Sequence, residues 1–266
     1  MSVKLGMIGG GVMGEALLSR LVVQTVVTPD SILVSDPVAQ RREYLAEQYG
    51  VNVTADNQTV AAESDLLLLA IKPQVFDLVV APLQLKRPEQ LVISILAGVP
   101  LNRLELAFPN QPVVRAMPNT PATVGAGMTA IASGHHADAT HLQRARQVFE
   151  AVGEVVEVPE AMMDAVTGLS GSGPGYVAVM IEALTDGGVA VGLPRAVAAK
   201  LALQTVQGTA ELLQSTGMHP AELKDRVTSP GGTTIAGIAH LEKSNFRSAL
   251  IEAVRAAYQR SQALGE

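Results

Sequence analysis

The chain opens with a glycine-rich run whose spacing predicts a dinucleotide site. Gly9, Gly11 and Gly14 form a G-x-G-x-x-G motif directly after an apolar run typical of a strand and at the start of a helical pattern. The first glycine permits a tight turn, the second lets the backbone approach a pyrophosphate, and the third allows the helix to pack closely on the strand. The free N–H groups at the helix start would bind the phosphates.

The residues after the second predicted strand give conflicting signals about the ribose. Asp36 lies about 20 residues beyond the glycines, where the motif places an acid that accepts a hydrogen bond from the 2′-OH of NAD. Arg41 and Arg42 follow closely and could instead bind the 2′-phosphate of NADP. The sequence therefore leaves both NADH and NADPH open.

Three further runs follow predicted strands, at the edge where such sheets bind ligands. Lys72 in AIKPQ is either a proton donor or a backbone contact beside the cofactor, and Ala97 in LAGV occupies the corresponding place after the next strand. Asn119 and Thr120 are polar candidates in RAMPNTPA, whose two prolines fix the loop. Each of these runs could by itself be an ordinary turn, but their common location at the carboxyl ends of strands favours a ligand site.

A second glycine-rich device lies in VTSPGGTTIAG, near the end of the chain. Pro230, Gly231 and Gly232 would let consecutive N–H groups converge at the start of the next helix, which makes an anion site suited to a carboxylate. Ser229 could add a hydroxyl, and Thr234 on the first helical turn could bond a substrate nitrogen. The alternative is an ordinary helix N-cap made by a serine or threonine. The run GLSGSGPGY repeats the pattern, either for tight helix packing or as a wall of the substrate site.

Strong acid–base residues are scarce in the predicted site apart from Lys72. His135 and His136 lie in a polar stretch typical of a solvated loop, and we predict no metal site there. Hydride transfer to a protonated imine needs little proton donation, whereas a ketone needs a donor for the forming alkoxide. The residues therefore favour a dinucleotide-dependent reductase of a small carboxylated substrate, with an imine as the acceptor.

Composition excludes several other classes of function. The net charge of the 266 residues is −6, which argues against binding to nucleic-acid phosphates. The chain has no cysteine, which rules out disulfides and thiolate chemistry and fits a reducing compartment. We find no signal-peptide pattern and no apolar run long enough to span a membrane, so we predict a cytoplasmic location and no membrane partner.

The first part of the chain has the alternating pattern of an α/β Rossmann-type, doubly wound domain, which we predict for residues 1–159. Its strands are nearly continuous apolar runs, as expected for a parallel sheet buried on both faces. The predicted strands are Lys4–Ile8, Ser31–Ser35, Asp65–Ile71, Leu91–Leu96 and Pro112–Ala116, and the predicted helices are Val12–Gln24 and Ala39–Tyr49.

Strand patterns stop near Pro159, and we predict an all-α domain over residues 160–266. Its predicted helices are Ala161–Leu169, Pro174–Val191, Pro194–Gln214, Pro220–Val227 and Asn245–Leu264. The second and third of these carry small or aliphatic residues on nearly every face, although a surface helix normally has a polar face. We expect them to be buried against a second copy, in a homodimer or a larger ring. A tight bundle within one chain is the alternative.

Taken together, these motifs resemble the pyrroline-5-carboxylate reductase family over nearly the whole chain. The resemblance rests on IGGGVMG, AIKPQ, RAMPNTPA, DAVTGLSGSGPGY, DGGVAVGLPR and HPAELKDRVTSPGGTTIAG, of which the last is the most specific. It implies NAD(P)H-dependent reduction of 1-pyrroline-5-carboxylate to L-proline. It also implies a helical dimerisation domain, a homodimer that can form a decamer of dimers, and NADPH as the usual cofactor. Asp36 departs from the family, since many members have Ser or Thr there, and this keeps NADH open.

The resemblance also implies roles for individual residues. Ser229, Gly232 and Thr233, together with Gly231 in the same turn, would hold the substrate carboxylate, and Thr234 would contact the ring nitrogen. The dinucleotide would contact Ile8, Gly9, Gly10, Gly11, Val12, Met13, Asn57, Ala70, Ile71, Lys72 and Pro73, in addition to Asp36 and Ala97.

Two other functions remain open from the residues alone. A 3-hydroxyacid dehydrogenase pairs the same glycine motif with a helical domain, and would need a lysine such as Lys200 or Lys224 facing the nicotinamide. A nucleotide-sensing protein without turnover is the second alternative.

Overall fold

The computed structural model describes residues 3–265. The chain divides into two compact units, one made of the residues up to 172 together with those from 256 onward, and the other of residues 173–255. The domain boundary predicted from strand patterns lies between residues 159 and 160, whereas the first compact unit continues to residue 172. The predicted boundary stays a prediction.

An eight-stranded sheet forms the centre of the first unit, in the order β3-β2-β1-β4-β5-β6-β7-β8. Neighbouring described strands pair in parallel, except that β6 and β7 are antiparallel. The strands are β1 Val3–Ile8, β2 Ile32–Ser35, β3 Asn52–Thr54, β4 Ser64–Leu69, β5 Leu91–Ser94, β6 Val113–Met117, β7 Gly127–Ser133 and β8 Gly153–Glu157.

The alternation of side chains along the strands explains why helices cover both faces of the sheet. On β4, Leu66 and Leu68 belong to one apolar core, whereas Leu67 and Leu69 belong to a second core. Because successive side chains of a strand point to opposite faces, a run of leucines needs cover on both. The predicted doubly wound fold is confirmed.

The described helices follow the predicted order along the chain. They are α1 Val12–Val23, α2 Ala39–Tyr49, α3 Asn57–Glu63, α4 Phe76–Val80, α5 Leu101–Ala107, α6 Ala139–Glu150, α7 Met163–Val166, α8 Gly173–Ala190, α9 Arg195–Thr216, α10 Pro220–Arg226, α11 Thr233–Lys243 and α12 Phe246–Gly265. Short 3-10 turns lie at Pro29–Ser31, Pro73–Val75, Thr120–Val124 and Glu160–Met162. None of the helices within residues 3–265 has the length and hydropathy needed to cross a membrane.

The predicted helix Ala161–Leu169 is not a single α-helix. After the 3-10 turn and α7, the chain forms a π-helix at Thr167–Gly171. The hydroxyl of Thr167 donates to the carbonyl of Met163 at 2.9 Å, and that of Ser170 donates to the carbonyl of Val166 at 3.1 Å. Such bonds compete with the helical ladder, and the glycines of this run are poor helix formers, so the regular pattern breaks here.

The second unit, residues 173–255, contains few buried apolar side chains among its described residues. Ala198 and Ala202 of α9 are buried, but larger side chains on α8 and α9 are exposed. These exposed side chains include Val177, Val179, Leu184, Leu201 and Leu203. A self-contained bundle would bury them, so this unit favours the predicted burial against another chain.

Candidate active site

In the loop between β1 and α1, the backbone conformation and the close packing at Gly9 require glycine. Its φ of +101° is rarely adopted by other residues. A Cβ atom there would lie 2.5 Å from the carbonyl oxygen of Ala70, at the end of β4. The N–H of Gly9 donates to the carbonyl of Ser35 on β2 at 2.8 Å. The turn is therefore wedged between the carboxyl ends of the two strands that flank β1.

The other two motif glycines have opposite surroundings. A Cβ atom on Gly14 would lie 2.4 Å from the carbonyl oxygen of Gly9, so α1 packs directly on the turn. A Cβ atom on Gly11 would meet nothing within 4 Å. Gly11 is the N-cap of α1, and Val12 beside it is 76 % exposed. The first N–H groups of α1 thus face open space, which fits the pyrophosphate of a dinucleotide.

Asp36 lies beside this loop and is almost completely buried. Its two carboxylate oxygens accept hydrogen bonds from the N–H groups of Gly10, at 3.0 Å, and Val38, at 2.9 Å. Arg42 donates to the carbonyls of Asp36, at 2.7 Å, and Pro37, at 3.1 Å. The structure therefore brings Asp36 and Arg42 to the predicted ribose edge.

Arg41 points away from that edge, toward α1. It donates to the carbonyl of Gly10 and forms an ion pair with Glu15. The other carboxylate oxygen of Glu15 accepts hydrogen bonds from Tyr44, at 3.0 Å, and Tyr49, at 2.7 Å. Sequence reasoning missed Glu15 and both tyrosines, because nothing in their spacing marks a contact between α1 and α2.

These contacts shift the titration of two members of the cluster. Burial alone would raise the pKa of Glu15, but the hydrogen bonds from Arg41, Tyr49 and Tyr44 outweigh it and hold that pKa below its usual value. Burial, with the hydrogen bond to Glu15, raises the pKa of Tyr49. Glu15 is therefore a carboxylate, and Tyr49 keeps its proton, across the physiological range.

The remaining predicted cofactor residues line the same edge of the sheet. The hydroxyl of Ser35 donates to the side-chain oxygen of Asn57 at 2.7 Å, which fixes that amide at the start of α3. Ala70 follows β4 and donates to the carbonyl of Ile8 at 2.8 Å, and Ala97 follows β5. Lys72 is exposed, and its amine has no hydrogen-bond partner within residues 3–265.

In the RAMPNTPA loop, Asn119 uses its side-chain amide for structure. The Asn119 amide accepts from the N–H of Met128 at 2.9 Å and donates to the carbonyl of Ser170 at 3.0 Å. Buried Arg115 pairs with Glu160 at 2.6 Å, and the same Glu160 oxygen accepts from the N–H of Leu101 at 2.9 Å. Asn119 therefore joins its loop to β7 and to the π-helix, and the Arg115–Glu160 pair joins β6 to the 3-10 turn before α7. Sequence reasoning missed the Arg115–Glu160 pair.

The second glycine device, in residues 173–255, is a tight turn followed by an uncapped helix. The N–H of Gly232 donates to the carbonyl of Ser229 at 3.0 Å, and Gly231 has a φ of +68°. Proline followed by such a glycine is the signature of a type II turn. Gly232 is the N-cap of α11 and no side chain caps the described helix. The ordinary N-cap alternative for this run is therefore wrong.

The hydroxyls of this turn are free within the described part of the chain. Thr234 is half-buried in the first turn of α11, and Ser229 is exposed. Neither hydroxyl has a hydrogen-bond partner within residues 3–265, whereas that of Thr228 donates to the carbonyl of Lys224 at 2.6 Å. The turn thus offers amide donors and hydroxyls that can bind an anion.

The predicted residues therefore fall into two groups. The cofactor set lies at the carboxyl edge of the sheet, and the substrate set lies in the turn between α10 and α11. His135 belongs to neither group; its side chain is 88 % exposed and pairs with Glu105 at 2.9 Å. The N–H and side chain of His135 bond Glu105, which lowers the pKa of that carboxyl in spite of its partial burial.

Two family models match the chain. The model described as pyrroline-5-carboxylate reductase dimerisation matches residues 160–264. The model described as NADP oxidoreductase, coenzyme F420-dependent, matches residues 4–98. The dimerisation model supports oligomerisation through the helical part of the chain, in agreement with its exposed apolar residues.

Relatives and solved structures match the chain over its full length. The chain is 62 % identical over 266 residues to a pyrroline-5-carboxylate reductase from Synechocystis sp., covering 100 % of both chains. A solved pyrroline-5-carboxylate reductase from Coxiella burnetii has a TM-score of 0.92 at 33 % identity, with 100 % of both chains covered. A pyrroline carboxylate reductase from Plasmodium falciparum, solved with NADP bound, has a TM-score of 0.90 at 32 % identity and covers 99 % of this chain and 98 % of its own.

Proposed function

The chain belongs to the pyrroline-5-carboxylate reductase family, and from that premise we propose how its residues perform the family's reaction. The reaction is the NAD(P)H-dependent reduction of 1-pyrroline-5-carboxylate to L-proline in proline biosynthesis. The observation that carries the assignment of residues is that α1 and α11 begin alike. Each starts after an extended N-cap glycine, with φ and ψ of −68° and −171° at Gly11 and −78° and 173° at Gly232. One start suits a pyrophosphate and the other suits a carboxylate.

We assign the carboxyl edge of the sheet to the dinucleotide. The open space at Gly11 and the free N–H groups of α1 support the pyrophosphate position. The bond from Ser35 to Asn57 supports a fixed amide at the same edge. The assigned residues are Ile8, Gly9, Gly10, Gly11, Val12, Met13, Asp36, Asn57, Ala70, Ile71, Lys72, Pro73 and Ala97.

We assign the turn before α11 to the substrate carboxylate. The amides after Gly232, in the first turn of α11, would hold the anion together with the hydroxyls of Ser229 and Thr233, and Thr234 would hydrogen-bond the ring nitrogen. None of these amides and hydroxyls carries a charge. The attraction for the substrate carboxylate would come from the positive end of the α11 helix dipole and from hydrogen bonds. This anchoring orients the ring, which is the main demand on an enzyme that reduces an imine.

The proton inventory of the reaction is simple. When bound, the reduced nicotinamide supplies a hydride to the carbon of the C=N bond. The substrate brings the proton on its nitrogen, so the product is a secondary amine and no side chain must donate to a forming alkoxide. Thr234 would therefore act by holding the nitrogen, and we assign Lys72 to contact with the dinucleotide.

We propose NADPH as the preferred cofactor, with NADH as the alternative. Arg42 lies on the carbonyls of Asp36 and Pro37, where it can meet a 2′-phosphate. The two backbone N–H groups that donate to the Asp36 carboxylate offset part of its repulsion of that phosphate. The Plasmodium falciparum relative binds NADP, which supports the same preference.

We propose a homodimer formed through residues 160–266, with residues 1–159 as the dinucleotide-binding domain. An apolar groove of about 510 Å³ runs along α9 and α10, lined by Leu212, Leu213, Leu223 and others. Together with the exposed side chains of α8, this groove supports an interface with a second copy. Assembly into a decamer of dimers and a cytoplasmic location remain predictions of the sequence.

The proposed carboxylate site is tested by comparing two cyclic imines. The fall in NADPH absorbance is followed with 1-pyrroline-5-carboxylate and with 1-pyrroline, which lacks the carboxylate. We expect a kcat/KM at least about tenfold lower for 1-pyrroline, because a charge-assisted hydrogen bond contributes about 1.5–3 kcal/mol. Equal values would contradict the carboxylate site, and no turnover of either imine would contradict the function.

A further inference from the structure

The backbone of Gly10, at the centre of the phosphate loop, is held by hydrogen bonds at both its N–H and its carbonyl. Its N–H donates to a carboxylate oxygen of Asp36 at 3.0 Å. Its carbonyl accepts from Nε of Arg41. Both side chains come from the segment after β2, which the sequence marks as the place for ribose recognition. The structure shows that each of them also fixes the loop.

Arg41 is itself fixed by a cluster on α1 and α2. Its guanidinium pairs with Glu15, and the two side chains are 25 % and 24 % exposed. It also lies 5.1 Å from the ring centre of Tyr44. Since Tyr44 and Tyr49 both donate to Glu15, three side chains hold the Arg41 guanidinium against the Gly10 carbonyl.

The loop needs such an anchor because three glycines follow one another. Gly9, Gly10 and Gly11 have no side chains, and glycine loses more backbone freedom on ordering than any other residue. A loop that is ordered before the ligand arrives binds more tightly, because the ordering cost is not paid at each binding event.

We propose that Glu15 and Arg41 are positioning residues for the phosphate loop, and that Arg41 therefore serves NADH and NADPH equally instead of reading a 2′-phosphate. This inference rests on the proposed function only in taking the Gly9–Gly14 loop as the pyrophosphate site. Arg41 acts through Gly10. Arg42, which donates to the main-chain carbonyls of Asp36 and Pro37 at the ribose edge, remains the arginine that can distinguish the two cofactors.

The test measures dissociation constants for NADH and NADPH directly, from the fluorescence of the bound reduced cofactor. For Arg41→Ala we expect both constants to rise about tenfold, a loss of about 1.4 kcal/mol, with their ratio unchanged within about twofold. The kcat at saturating cofactor and the KM for the imine should stay near the wild-type values, because the loop is restored once the cofactor is bound.

The variants Glu15→Gln and Glu15→Gln/Arg41→Ala test the connection between the two residues. Glu15→Gln should raise the dissociation constants for NADH and NADPH by the same factor, and that factor should be smaller than in Arg41→Ala. The double variant should have dissociation constants no higher than those of Arg41→Ala alone. The matched control is Arg146→Ala, since Arg146 on α6 likewise joins a carbonyl, that of Val155, to a carboxylate, that of Glu157. It should leave both dissociation constants unchanged.

Three results would overturn the proposal: a loss confined to NADPH in Arg41→Ala, additive losses in the double variant, or an equal loss in Arg146→Ala. The ratio of the two constants is measured on one protein sample, so partial unfolding does not alter it. A wild-type protein that binds both cofactors but does not reduce the imine would contradict the proposed reaction and leave this inference standing.

Discussion

Replacing Gly11 with alanine should weaken dinucleotide binding without unfolding the protein. The backbone of Gly11 is extended, with φ −68° and ψ −171°, and alanine adopts this conformation without strain. The added Cβ would meet nothing within 4 Å. Alanine is a poorer N-cap than glycine, but it also reduces the entropy of the unfolded chain, so we expect a change in unfolding free energy below about 1 kcal/mol.

The effect on binding should be much larger. The methyl group would occupy the space through which a pyrophosphate approaches the N–H groups of α1. Losing one charge-assisted hydrogen bond costs about 1.5–3 kcal/mol, which corresponds to a dissociation constant about 10- to 150-fold higher. Both NADH and NADPH should lose affinity, since both carry the pyrophosphate.

Gly9→Ala is the contrasting variant. Its φ of +101° and the distance of 2.5 Å from a new Cβ to the Ala70 carbonyl oxygen force the backbone to move. We expect a loss of at least about 2 kcal/mol in unfolding free energy, measured in urea without ligand. If Gly11→Ala bound the cofactor with wild-type affinity, the proposed position of the pyrophosphate would be wrong. If Gly11→Ala lost much more than about 1 kcal/mol of unfolding free energy, the space at Gly11 would not be open.

Three further variants test the rest of the site. Thr234→Ala should lower kcat/KM for the imine about 10- to 100-fold while cofactor affinity is unchanged, with partial recovery in Thr234→Ser; unchanged kinetics would remove its role. Arg115→Met should lower the unfolding free energy by about 2–3 kcal/mol, because it removes the buried ion-pair partner of Glu160. Arg103 forms an exposed ion pair with Asp77 at 2.6 Å, and Arg103→Met should cost less than about 1 kcal/mol; equal losses in the two variants would contradict the burial argument. Leu203→Glu, at a residue that is 55 % exposed in the single chain, should shift sedimentation toward a monomer, and an unchanged mass would place the interface elsewhere.

The sequence could predict the roles of glycines because those roles depend on local geometry. The spacing of Gly9, Gly11 and Gly14 already gives a turn, an open approach and a packing contact, and the structure has each of them. The apolar strands were also predictable, because a strand buried on both faces must be apolar throughout. The same pattern cannot find β3, which is short and only partly buried, or the antiparallel pairing of β7 with β6, which depends on the tertiary fold.

The polar contacts of the site were harder to predict, because they join distant elements. Arg41 is marked by its position after β2, yet its partner Glu15 lies on α1, and no spacing rule connects the two. Asn119 was a plausible ligand contact by residue type, but its amide accepts a hydrogen bond from Met128 on β7 and donates one to Ser170 in the π-helix. Only the folded chain shows which polar groups are already occupied and which, such as Thr234, are free within its described part.

A crystal structure with NADP and L-proline bound would test the central claim most directly. We expect the proline carboxylate to accept hydrogen bonds from the amides that follow Gly232, with the proline nitrogen within hydrogen-bond distance of the Thr234 hydroxyl. A carboxylate bound to any other part of the chain, with residues 229–234 facing solvent in every subunit, would contradict the account.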